Sequence, residues 1–84
     1  MKISKKEYLK KKNAIEWYVT KHMKIINEKV DETLTVRTRD TTCLLGYITY
    51  SDEWHKPVFE PEWDVMFDSE CLKELAEYLE FITK

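Results

Sequence analysis

Four side chains in this sequence are of metal-ligating type: His22, Cys43, His55 and Cys71. Structural zinc sites usually contain at least one close ligand pair, such as C-x-x-C or H-x-x-x-H, which closes a small chelate loop. Here all four are far apart along the chain, and no metal site is expected from their spacing. Nucleophilic catalysis needs a Ser or Cys beside a base and an oxyanion site, usually with glycine so that the backbone can approach closely. Glycine occurs once, at Gly46, and loops that cradle phosphate fail on the same count. Asp52, Glu53, Glu60, Glu62 and Asp64 could hold a divalent ion or form an acid/base pair, but their spacing matches no such loop. They read more simply as a solvated acidic edge. The sequence therefore predicts no catalytic residue, no cofactor and no metal, and the expectation is a protein that binds rather than an enzyme.

Two constellations suit binding. Residues 1–29 carry nine Lys against Glu7, Glu16 and Glu28, a balance of +6, while residues 30–84 carry five basic and thirteen acidic groups, a balance of −8, leaving −2 for the chain. Such polarity gives two differently charged faces, or halves that neutralise one another. On the basic side, Lys2, Lys5, Lys6, Lys10, Lys11, Lys12, Lys21, Lys24 and Lys29 could neutralise phosphates and Trp17 could stack on a base. Lys6, Lys10, Trp17, Lys21 and Lys24 are the candidate nucleic-acid-binding set. Every basic residue of this segment is Lys, so bidentate base reading by Arg is missing, and the acidic remainder would repel nucleic acid. On the acidic side, Asp52-Glu53-Trp54 and Glu60-Pro61-Glu62-Trp63-Asp64 each set a Trp among carboxylates in loop or sheet-edge sequence. Trp anchors many interfaces, and a fence of carboxylates complements the basic groove of a nucleic-acid enzyme. The plain alternatives are a solvated lysine face and a Trp54 and Trp63 buried under the helices.

The elements that must position these residues follow from periodicity. Ser4-Lys5-Lys6-Glu7 has the form of a helix N-terminal capping box, and at about 100° per residue Tyr8, Ile15, Tyr18, Val19, His22, Met23, Ile26 and Val30 share one face. This predicts one long helix from Lys5 to about Lys29, with His22 a core histidine on its apolar face and Lys6, Lys10, Trp17 and Lys24 on the opposite one. Thr33 to Arg39 alternates as a half-buried strand with Leu34 and Val36 inward, and a second strand runs from Cys43 to about Tyr50 after the turn Asp40-Thr41-Thr42. Gly46 inside that strand marks a bulge or the close approach of the helix. Ser51 to Lys56 is a polar connection. Pro57 to Pro61 supplies a short third strand confined to an edge. Asp68 then caps a helix to about Ile82, with Phe67 and Leu72 as its hydrophobic staple and Leu72, Leu75, Ala76, Leu79 and Ile82 as its apolar face. The predicted fold is α+β: one domain over residues 1–84, helix, antiparallel meander of two or three strands, helix (α-β-β-β-α), with the helices on one face of the sheet.

A chain with 43% hydrophobic and 36% charged residues and eleven aromatics has the composition of a folded domain. Two cysteines in so short a chain argue for free thiols in a reducing compartment. The lysine-rich start is followed by no apolar stretch, so neither a signal peptide nor membrane insertion is expected. In size, Lys/Glu/Ile-rich composition, local acidity and the meander-then-helix ending from Val58-Phe59-Glu60-Pro61 through Leu72-Lys73-Glu74-Leu75, the chain resembles the small accessory proteins of phages and mobile elements of Gram-positive bacteria, including single-domain anti-CRISPR proteins. The resemblance is one of general character and assigns no residue roles. It implies an inhibitor or adaptor in the cytoplasm of a bacterial host cell. The leading expectation is a non-enzymatic module that binds a host nucleic-acid-processing protein through Asp52, Glu53, Trp54, Glu60, Glu62, Trp63 and Asp64, mimicking nucleic acid. The alternative is direct nucleic-acid binding by the lysine helix. A homodimer through Trp17 is also compatible with the charge pattern.

Overall fold

In the structure, a computed structural model that describes residues 2–29 and 31–84, the first helix is short. Ser4 caps it, its Oγ accepting the Glu7 N–H at 3.1 Å, and α1 runs over Lys5–Asn13. Glu7 in the first turn and Lys10, Lys11 and Lys12 in the last complement the helix dipole. The helix closes where Ala14 N–H returns to the Lys11 carbonyl and Ile15 N–H to that of Lys12. The remainder of the expected long helix is instead two strands, β1 (Trp17–Val19) and β2 (Met23–Ile26). The apolar spacing follows the helical period, but the aromatic and β-branched content of Trp17-Tyr18-Val19-Thr20 and Ile25-Ile26 favours extended backbone, and the tertiary ladder decides it. Val30, assigned to the helix face by periodicity, lies outside the described residues, as does Met1.

β3 (Leu34–Thr38), β4 (Leu44–Ser51) and β5 (Lys56–Pro61) follow, and α2 spans Ser69–Thr83. The sheet has five strands in the order β1-β2-β3-β4-β5, every neighbour antiparallel. The α+β class is as read from the sequence, with five strands where two or three are expected.

Register divides the strand residues between two faces. Tyr18, Ile25, Val36, Gly46 and Pro61 form one transverse row, and Leu34, Ile48 and Phe59 the next. This inner face meets Tyr8 and Ile3 from the α1 side and Leu75, Tyr78 and Ile82 of α2 in a single core, so both helices cover one side of the sheet. The opposite face carries the row Trp17, Ile26, Thr35, Tyr47 and Glu60, with Val19, Lys24 and Arg37 beside it, and no helix lies over it. Gly46 sits at a register shift opposite Val36/Arg37, the bulge expected there. What approaches it closely is the Phe59 ring and the Glu60 carbonyl, not a helix.

Two polar clamps fix α1. The Tyr8 phenol is fully buried and its single proton is shared between the carbonyls of Ile48 at 3.2 Å and Glu32 at 3.3 Å. Lys12, expected among the solvated lysines, is buried: its Nζ donates to Asn27 Oδ1 at 3.1 Å, while Asn27 Nδ2 donates to the Lys12 carbonyl at 3.0 Å. A buried ammonium needs such partners, so Lys12 joins α1 to the end of β2 rather than facing solvent. Asp68 caps α2, accepting the Cys71 N–H at 2.9 Å. The staple does not form as expected. Leu72 stands exposed, about 60° round the helix from Leu75, and Phe67 turns onto the Phe59 ring with centroids 5.5 Å apart.

Candidate interaction surfaces

A five-stranded meander sends successive turns to alternate ends of the sheet, so the β1–β2 and β3–β4 turns share one end, where Arg39 N–H donates to the His22 carbonyl at 3.0 Å, and the β4–β5 turn lies at the other. His22 lies in the β1–β2 turn, Cys43 in the β3–β4 turn, His55 in the β4–β5 turn and Cys71 in the first turn of α2. Both cysteines are free thiols. Among the described residues no group of three or more His, Cys, Asp and Glu is placed to hold a metal ion.

His22 is neither on a helix face nor in the core, its side chain being partly exposed, and one ring nitrogen has a close partner. Nδ1 lies 2.5 Å from Glu74 Oε2 and Nε2 lies 3.6 Å from Glu70 Oε2, while the His22 backbone N–H donates to Glu74 Oε1 at 3.2 Å. This latch ties the β1–β2 turn to α2. Burial pushes the Glu74 carboxyl up, but hydrogen bonds from Thr20, the His22 ring and the His22 backbone outweigh it and hold it below the ordinary value. Asp31 is held low by the Thr33 side chain and backbone, and Asp68 by the Cys71 N–H. All three carboxyls are depressed in the fold. Their stabilisation is therefore complete above the ordinary carboxylate value of about 4 and is lost as pH falls through the lower folded values. Thermal melts are expected to hold to weakly acid pH and then drop. Glu74→Gln is expected to lower the neutral-pH Tm and flatten the acid limb; a neutral-pH Tm equal to the wild type would show that the latch adds no stability.

The acidic set expected to act together divides in two. Asp52, Glu53 and Trp54 occupy the β4–β5 turn, whereas Glu60, Glu62, Trp63 and Asp64 lie at and beyond the other end of β5, roughly 17 Å along the strand. At the first end Trp54 is 60% exposed, but Lys56 Nζ sits 5.4 Å from its ring centroid, and Lys2 and Lys56 border the same hollow as Glu53. Positive groups there offset the carboxylates. Between β5 and α2 beside this turn runs a groove of about 790 Å³ lined by Trp54, Val58, Phe59, Leu79 and Lys84 among others.

At the second end the acidic character stands. Glu60 and Asp64 are exposed and Glu62 is half-buried. Trp63 is 92% exposed and Met66, outside the expected set, is 95% exposed. The loop that carries them is tethered on both sides: Glu62 N–H donates to the Leu45 carbonyl at 2.9 Å, and Phe67 is seated on Phe59. Met66 lies between the half-buried Val65 and Phe67 in the loop ahead of the Asp68 cap, and that position was the signal available in the sequence.

The basic set is broken up by the loss of the long helix. Lys6 and Lys10 remain exposed on α1, Lys21 lies in the β1–β2 turn, and Trp17 and Lys24 project from the uncovered sheet face. Trp17 is 67% exposed. Within the described residues no helix is long and apolar enough to cross a membrane. In comparison with known proteins, the chain matches no family model, no curated protein and no solved structure.

Proposed function

We propose that the chain is a non-enzymatic protein-binding module whose principal contact is the β5–α2 loop, with Trp63 and Met66 as apolar anchors inside a carboxylate fence of Glu60, Glu62 and Asp64. The supporting observation is the near-complete exposure of Trp63 and Met66 on a loop anchored at both ends. Scattered exposed apolar groups are ordinary. A Trp and a Met three residues apart among acidic groups, on a loop tethered on both sides, suit a preorganised anchor. The fence favours a partner with a basic groove, which in this reading is a nucleic-acid-processing protein of a bacterial host, inhibited or adapted by mimicry of its polyanionic substrate. Asp52, Glu53 and Trp54 are too far along β5 to share that contact.

The immobilised chain is expected to retain a specific protein from bacterial lysate and to release it to duplex DNA added as competitor. Trp63→Ala should weaken that partner about 30-fold, and Glu60→Lys with Asp64→Lys should abolish retention. Retention unchanged in both variants, or no specific protein held, would overturn the reading. A second reading, direct binding of single-stranded nucleic acid, draws on the uncovered sheet face, where Lys24 pairs with Arg37 beside the row holding Trp17 and Tyr47. Arg37 is partly committed, to the Thr42 carbonyl and to Glu28, which places this reading second. Oligonucleotide binding that falls steeply with salt would bring it forward.

A further inference from the structure

The two edges of the sheet are treated differently. On β5 the pairs Gly46↔Pro61 and Tyr50↔Pro57 set both prolines where the backbone faces away from β4, so of these outward positions only Phe59 has an N–H to offer. α2 also packs against β5. β1 carries no proline. Thr20 N–H donates to the Met23 carbonyl and Asn27 N–H to the Glu16 carbonyl, which fixes the alternation: Tyr18 turns its backbone to β2, and the N–H and C=O of Trp17 and Val19 point off the sheet. Among the described residues no other segment takes them up. All three β1 side chains are exposed, and Tyr18 stacks on the exposed Phe81 of α2 with centroids 6.0 Å apart. An open edge of high β-propensity beside an apolar patch is a template for another strand.

We infer that β1 pairs antiparallel with β1 of a second copy of this chain across a two-fold axis at Tyr18, joining the two sheets into one. In that register Trp17 faces Val19 of the other copy and exchanges both backbone hydrogen bonds with it, and the two Tyr18 residues meet between the Phe81 rings. The choice of a second copy over an unrelated strand rests on charge order. The strand is preceded by exposed Glu16 and followed by exposed Lys21, and Arg39, whose Nη1 donates to the Thr20 carbonyl at 3.5 Å, adds positive charge at the Lys21 end. A strand that is acidic before and basic after its apolar centre is its own antiparallel complement: Glu16 of each copy comes to the Thr20–Lys21 end of the other. Three-residue strands bury little area, so the dimer forms at micromolar concentration and exchanges. It uses β1 and does not depend on the Trp63 loop.

Light scattering over a concentration series is expected to show mass rising from 10.2 kDa towards twice that value. Glu16→Lys sets like charges together at both ends of the paired strands and should weaken association roughly tenfold. Adding Lys21→Glu should restore it, which a merely structural effect of either substitution would not do. Both residues are exposed, and circular dichroism checks that each variant is folded. A single mass of 10.2 kDa at every concentration, a dimer indifferent to Glu16→Lys, or a double variant that fails to recover would each overturn the inference.

Discussion

Replacing Tyr8 by Ala is expected to unfold the protein at or near ambient temperature. The ring is fully buried where α1 crosses the sheet, packed against Tyr50 with the rings tilted by 36° and centroids 5.8 Å apart, and its removal leaves a ring-sized cavity in the core. Aromatic-to-alanine truncations in such positions cost about 4 kcal/mol, a large part of what a domain of this size has. The Tm should fall by more than about 20 °C. Tyr8→Phe separates packing from polarity, since it keeps the ring and removes the proton that serves the Ile48 and Glu32 carbonyls. The Ile48 carbonyl side is buried, so losing its donor should cost about 1–2 kcal/mol. Thermal melts of the two variants check both figures; a Phe variant as stable as the wild type would mean the phenol proton is not needed, and an Ala variant within a few degrees of it would remove Tyr8 from the centre of the core.

The second half of the chain was legible because its punctuation was local. Asp68 before an apolar-periodic run marked α2, the prolines bracketing Val58-Phe59-Glu60 marked an edge strand, and Asp40-Thr41-Thr42 marked the β3–β4 turn, where Thr42 takes φ 57°. The first half lacked such marks. The β1–β2 turn contains neither Gly nor Pro. Thr20 makes it instead, its Oγ1 accepting the Met23 N–H at 3.0 Å and its backbone N–H donating to the Met23 carbonyl at 2.8 Å, an arrangement that composition does not announce. Without a visible break, Tyr18, Val19, His22, Met23 and Ile26 follow the helical period, whereas the strands divide them, with Tyr18 and Met23 on the inner face and Val19 and Ile26 on the outer one. The proposed interaction surface was legible in residue type but not in geometry. Aromatics serve core and interface alike, and only the structure shows that the three Trp lie apart, at the β1 edge and at the two ends of β5. Charge segregation was likewise visible, while the burial of Lys12 depended on Asn27 arriving from β2.

Gly46→Ala is the substitution expected to couple core and surface. A Cβ at this position would overlap the Glu60 carbonyl oxygen and lie 2.9 Å from carbons of the Phe59 ring. The oxygen belongs to backbone held in the Tyr47↔Glu60 pair and has no room to retreat without opening the β4–β5 ladder, so the cost should reach about 3 kcal/mol or more, the upper end for overpacked cores. The ring can yield, but Phe59 is the seat of Phe67, which anchors the loop bearing Trp63 and Met66. Displacement of Phe59 should therefore loosen that loop as well as lower stability. Urea unfolding is expected to show a lower midpoint at unchanged slope, and the folded variant should hold its partner less tightly although neither Trp63 nor Met66 has been altered. Gly46→Ala combined with Phe59→Leu relieves the ring contact and leaves the carbonyl contact, so it should recover part of the stability and none of the partner binding. Full binding in Gly46→Ala would show that the loop is positioned independently of the Phe59–Phe67 seat, and a midpoint close to the wild type would mean that the sheet opens at Gly46 at little cost.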